Sequence, residues 1–90
     1  ARLEHAVERI LVGKLINAGQ TCIAPDYVLL PRAAIDRFVE LARAATARMY
    51  PQGLADVNYC SVVNARQYGR LAGYLGQARQ AGVREVPLFD

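Results

Sequence analysis

One short break constrains this chain more than any other feature, the run Asn17-Ala18-Gly19-Gln20-Thr21-Cys22-Ile23-Ala24-Pro25-Asp26. Ahead of it, Leu3, Val7, Ile10, Leu11 and Leu15 recur at three- and four-residue steps. That period predicts an amphipathic helix over residues 2 to about 18. Gly13 lies inside the helix at a cost of up to about 1 kcal/mol against alanine, and close packing is the usual reason for such a glycine. Gly19 is the natural stop, since glycine enters the left-handed conformation freely. A glycine, two amides and a hydroxyl then carry Cys22 on a tight connection, held by backbone and not packed in a helix face. Loops on rigid scaffolds are where chains present reactive groups.

Beyond the break the pattern changes twice more. Ile23, Tyr27, Val28, Leu29 and Leu30 form a near-continuous apolar run, as in a parallel strand covered on both faces. Pro25 delays the ladder, which gives a strand at 26–30 with Tyr27 packed in the sheet. Pro31 opens a second helix at its first turn. Ile35, Phe38, Val39, Ala42, Ala45 and Met49 carry it to about residue 49, with Arg32–Asp36 and Glu40–Arg43 pairs along its outer side. Pro51, Gly53 and Asp56 make a loop, and Val57 to Val63 is ambiguous, apolar and β-branched but broken by Asn58 and Ser61. Asn64, with Gln67 three residues on, has the form of a capping box. A third helix follows over about 65–81, with Tyr68, Leu71, Ala72, Leu75 and Ala78 on one side, and Gly82 ends it. Val83 to Phe89 reads as a final strand weakened by Pro87. The order helix, strand, helix, loop, helix, strand implies an α/β fold, a parallel unit with a right-handed crossover.

Composition limits what such a unit does. Ninety residues make at most one domain, 53% hydrophobic, and no run of eighteen apolar residues is present to span a membrane. The N-terminus mixes Arg2, Glu4, His5, Glu8 and Arg9 with apolar residues, unlike a secretion signal. A start without Met and ends without polar tails are what a cut through a larger domain gives. The net charge is +3, but the arginines are scattered and form no block, which argues against a nucleic-acid partner. Two cysteines and one histidine at no ligand spacing argue against a metal site and a disulfide scaffold. Reduced thiols in a cytoplasmic protein fit best.

The run around Cys22 closely resembles the active-site signature of the aldehyde dehydrogenase superfamily, whose essential cysteine ends an Asn-x-Gly-Gln-x-Cys motif. Cys22-Ile23-Ala24-Pro25-Asp26-Tyr27-Val28-Leu29 narrows the likeness to the class 3-like branch, which holds the fatty and coniferyl aldehyde enzymes. The resemblance is specific at 14–31 and loose beyond residue 50. It implies that residues 1–90 are part of a catalytic domain, with no coenzyme-binding domain among them. The implied reaction oxidises an aldehyde, coniferyl or another aromatic one, to the acid. A cysteine thiolate adds to the carbonyl, a hydride passes to NAD or NADP, and water hydrolyses the thioester. Cys22 is then the catalytic nucleophile, its own N–H an oxyanion donor, and Thr21 and Ile23 contact the substrate.

A free thiol has a pKa of about 8.5, so only a few per cent is thiolate at neutral pH. Cys22 follows a helix C-terminus, the negative end of the macrodipole, so activation must come from elsewhere. The family's glutamate base, its oxyanion asparagine and its coenzyme fold lie outside the ninety residues. The piece alone is therefore expected to be inactive and to bind no coenzyme. Asn17 and Gln20 hold the turn through backbone hydrogen bonds. His5 faces solvent and Cys60 sits in the core as a small hydrophobe. An alternative from another class is a non-catalytic oligomerising or interaction module, driven by bare apolar surface. A homo-oligomer fits either reading, whereas a thiol redox protein would carry a Cys-x-x-Cys pair.

Overall fold

A computed structural model describes residues 2–89. Three helices carry the fold: α1 (Leu3–Leu15), α2 (Ile35–Met49) and α3 (Ala65–Gln80). A left-handed turn occupies Ile16–Gly19, and single 3-10 turns occupy Arg32–Ala34 and Gly53–Ala55.

The core is the contact between α1 and α2. Val7, Leu11 and Leu15 form the expected stripe on α1 and are buried. They pack with Ala42 of α2 in one buried cluster, and Ala45 and Thr46 on the same helix are buried as well. Thr46 is 1% exposed, and its hydroxyl is satisfied by donating to the Ala42 carbonyl at 2.8 Å. Gly13 has a packing reason: a Cβ there would meet the Pro25 ring at 3.3 Å. The chain leaving the cysteine turn thus lies directly on α1.

The predicted α/β order with its parallel sheet is not what forms. Among the described residues there is no strand. Residues 26–30 have no ladder partner, and Tyr27, expected in a sheet, is 79% exposed. Residues 83–89 likewise pair with nothing as a strand. A parallel ladder needs neighbouring strands and cover on both faces, and two short segments supply neither. The C-terminal stretch is instead held to α2 by side chains. Arg84 pairs with Asp36 at 2.8 Å, and the Arg43 guanidinium donates to the Pro87 carbonyl at 2.9 Å. Phe89 packs against Tyr59 at a tilt, ring centroids 4.9 Å apart, and Tyr50 meets Tyr59 edge-on at 5.0 Å. Desolvation in this cluster, then the nearby Tyr50 and Cys60, push the Tyr59 hydroxyl above its ordinary pKa.

The charge pairs on α2 also differ from expectation. Asp36 goes to Arg84 in place of Arg32, and Glu40 pairs with Arg37 at 3.0 Å in place of Arg43. Salt bridges reach across to whatever the tertiary fold delivers, and sequence spacing alone does not report that.

α3 starts and stops as its sequence dictates. Asn64 accepts from the Gln67 N–H at 2.9 Å, the N-cap half of the expected box. The other half is absent, because Gln67 Oε1 accepts from Arg70 Nε instead at 2.7 Å. At the far end, Val83 N–H donates to Ala78 and Gly82 N–H to Arg79, the paired bonds of a Schellman stop. Arg79 and Glu85 bridge that stop through two bonds of 2.7 and 2.8 Å. Each partner's pKa moves toward its charged form, mainly through that hydrogen bonding. No residue of α3 is buried, and Tyr68, Leu71, Tyr74 and Leu75 all stand exposed.

Candidate active site

The turn that carries Cys22 is built on strained backbone. After α1 the chain passes through three consecutive left-handed residues, Asn17 (φ 53°), Ala18 (φ 55°) and Gly19 (φ 77°). Asparagine and glycine tolerate this region, but a left-handed alanine costs roughly 1–2 kcal/mol. Gly19 is required on a second count, since a Cβ there would lie 3.1 Å from the Lys14 carbonyl. The Lys14 side chain lies across the same glycine and sets a cation at the negative end of α1.

A lattice of amides holds this conformation. Gln20 N–H donates to the Asn17 carbonyl at 3.1 Å, and Gln20 Nε2 donates to the same oxygen at 2.8 Å. Asn17 Nδ2 returns a bond to the Gln20 carbonyl at 3.1 Å. The scaffold role expected of Asn17 and Gln20 is thus present as hydrogen bonds. Ala24 N–H then donates to the Thr21 carbonyl at 3.2 Å, closing a turn with Cys22 at its tip.

Within that turn the three candidate residues differ. Cys22 is exposed and unpaired with Cys60, a free thiol open to reagents. Ile23 is 89% exposed, a large apolar side chain beside the thiol with nothing covering it. Thr21 is half-buried, and its hydroxyl is shut from solvent without a hydrogen-bond partner. Such an orphaned group costs about 1–3 kcal/mol. His5 is exposed, as expected, on the outer side of α1.

Cys60 is exposed as well, which corrects its expected place in the core. Its apolar neighbours do not enclose it, because residues 57–63 form no strand and Val57 and Val63 are 98% and 72% exposed. The segment is anchored at its start by Asp56, whose carboxylate accepts from Asn58 N–H at 2.9 Å and Gln52 N–H at 3.2 Å. Those backbone donors hold the Asp56 pKa below the usual carboxylate value. Near its end, Gln20 reaches across to bond Ser61 and Val63. Sequence reasoning missed that long-range link, and only the mid-turn position of a long amide hinted at it. The left-handed Ala18 had no sequence signal at all. An open groove beside the link is walled by Ala18, Leu54, Tyr59, Cys60, Val62 and Tyr68.

No dinucleotide cradle is present among the described residues. A pyrophosphate site of the usual kind needs a strand, a glycine-rich turn and a helix N-terminus in succession. Here Gly19 closes the turn after α1 and leads into the cysteine turn, and Gly82 follows α3; neither lies between a strand and a helix. No such succession occurs among the described residues, and none of them is assigned to the coenzyme. No helix among them is long and apolar enough to cross a membrane.

Comparison with known proteins bears on the whole segment. A model of the aldehyde dehydrogenase family matches residues 1–87. A protein of Pseudomonas aeruginosa named probable coniferyl aldehyde dehydrogenase is 45% identical over 97% of this chain and 18% of its own length. A coniferyl aldehyde dehydrogenase of a Pseudomonas species is 43% identical over 98% of the chain, again 18% of its own length. The dog enzyme named dimeric NADP-preferring aldehyde dehydrogenase is 34% identical over 81% of the chain and 16% of its own length. No solved structure matches significantly. The chain therefore spans under a fifth of these relatives. It belongs to the aldehyde dehydrogenase family.

Proposed function

We propose that these ninety residues are the nucleophile-bearing part of the catalytic domain of an enzyme that oxidises an aldehyde to the acid. The observation that carries the reading is the exposed Cys22 at the tip of a strained, amide-laced turn, in a segment that belongs to this family. Strained backbone kept in place by surrounding bonds is characteristic of reactive sites. The Cys22 thiolate adds to the carbonyl carbon, forming the C–S bond while the carbonyl pair moves to oxygen. In this reading the Cys22 N–H donates to that oxygen, and Thr21 and Ile23 flank the bound aldehyde. The bare Ile23 side chain suits an aromatic substrate, in keeping with the coniferyl aldehyde named for two relatives.

NAD or NADP, the hydride acceptor, and the base that deprotonates the thiol belong to the parent protein outside this segment. The parent is a homo-oligomer in the cytoplasm; one relative is named dimeric, and two free thiols suit a reducing compartment. In the full-length parent, coniferyl aldehyde with NAD or NADP should give reduced coenzyme, and Cys22→Ser should abolish it. The ninety residues alone should give none. Turnover by Cys22→Ser at more than a few per cent of the wild-type rate would refute the assignment.

A further inference from the structure

Gln20 does more than close its own turn. Asn17 Nδ2 and the Gln20 main-chain N–H already bind the turn together. The Gln20 carboxamide extends beyond it, across more than forty residues of chain. Its Nε2 donates to the Ser61 carbonyl at 3.1 Å, and its Oε1 accepts from the Val63 N–H at 2.8 Å. One side-chain amide thus satisfies a backbone acceptor and a backbone donor on either side of Val62, the service a neighbouring strand would give. Segment 61–63 has little else to fix it, since Ser61 and Val63 are exposed.

We propose that Gln20 is a positioning residue for Cys22, a two-pronged clasp that registers the cysteine turn against segment 61–63 and so fixes the thiol relative to the groove walled by Tyr59, Val62 and Tyr68. This rests on the reading of Cys22 as nucleophile. The same Nε2 also donates to Asn17, so the clasp and the left-handed run share one amide. Release of the clasp frees both at once, and a displacement of about 1 Å at a reacting atom costs on the order of 100-fold in rate. Both remote partners are main-chain groups, so the side chain of Ser61 is irrelevant to the clasp. Asparagine at position 20 is one methylene too short to keep both ends. Glutamate keeps an acceptor for Val63 N–H but loses both donated bonds.

The test uses the full-length parent with coniferyl aldehyde and coenzyme, and kcat is referred to the active sites counted by the acyl group trapped on the Cys22 peptide in an acid-quenched single turnover. Gln20→Met, close in volume, should lower kcat about 10- to 100-fold with KM within about threefold. Gln20→Glu should lose less, and Ser61→Ala should stay within about twofold. Amide exchange across 61–64 should speed up in Gln20→Met and stay near wild type in Ser61→Ala. A merely structural residue would lower the counted fraction and leave kcat per site unchanged. If exchange shows the clasp lost while kcat per site stays within about twofold of wild type, the proposal fails. Should Gln20→Met not fold, the same comparison is made with Gln20→Glu, and unchanged kcat with faster exchange again refutes it. Cys22→Ser run alongside separates the two ideas: turnover surviving there sinks the nucleophile reading itself, whatever Gln20 does.

Discussion

α1 and α3 carry the same kind of apolar stripe and meet different fates. Val7, Leu11 and Leu15 recur at helical spacing and are buried against α2. Tyr68, Leu71 and Leu75 recur at the same spacing and remain in solvent. Periodicity states which side chains call for a partner; only the tertiary fold states whether one is within reach. α1 found α2 within reach. α3 is tied down at its ends, through Asn64 and through the Arg79–Glu85 pair, and has no cover along its length.

That contrast is most directly broken by truncation. Leu11→Ala in α1 should cost about 2–5 kcal/mol by removing core and leaving a cavity. Leu75→Ala in α3, already exposed in the ninety-residue chain, should cost under about 1 kcal/mol there. Urea denaturation of the two variants gives the ratio. In the full-length parent the Leu75→Ala cost should rise toward the Leu11→Ala value, because apolar stripes of this kind are covered in complete domains. Equal costs in the isolated chain would mean that α3 is packed after all.

Exposed apolar surface also has a solution consequence. At about 25 cal/mol per Å², even 400 Å² left bare forgoes roughly 10 kcal/mol, comparable with the stability of a small domain. The ninety residues should therefore self-associate at micromolar concentration. Sedimentation should show mass above the 9.9 kDa monomer, and Leu71→Lys with Leu75→Lys should shift it back toward monomer. A sharp monomer with a cooperative melt would favour the interaction-module alternative.

A smaller effect separates the turn from the core. The Thr21 hydroxyl is buried without a partner, so Thr21→Val should raise stability by about 1 kcal/mol. If that hydroxyl contacts substrate, the same change should raise KM in the full-length enzyme. A stability gain with unchanged KM would remove Thr21 from the site and leave Ile23.

The smallest expected effect is in acid. Asp56 has its folded pKa depressed by donors from Asn58 and Gln52. Its contribution is fully present above the unfolded value of 3.8 and is lost as pH falls through the lower folded value. Asp56→Asn should flatten stability against pH in that range and lower it at pH 7 to 8, where the carboxylate's contribution is fully present. An unchanged acid limb would mean that Asp56 does not anchor the 57–63 segment.

Much of the site was legible because its signals are local. A glycine stop after an apolar period, amides flanking a cysteine and an Asn64 cap depend on neighbours within a few residues. The three helices were legible for the same reason, to within a few residues at their ends. The sheet was not, because strands at 26–30 and 83–89 depend on partners far along the chain, and β-branched runs only record a fitness for such pairing. Cys60 was misplaced by the same error: an apolar neighbourhood in sequence was equated with an enclosed one in space. The Gln20 link escaped notice because both remote ends are main-chain atoms, which leave no mark in side-chain identity.

The comparison that matters most for function is between the two thiols, both free and both exposed, one on a strained turn and one on an open segment. Full-length parent, mixed with coniferyl aldehyde and coenzyme, is quenched in acid during turnover and mapped by peptide mass. The acyl group should be found on the peptide carrying Cys22 and absent from the one carrying Cys60. An acyl group on Cys60, or turnover with no acyl-cysteine and full activity in Cys22→Ser, would contradict Cys22 as the nucleophile.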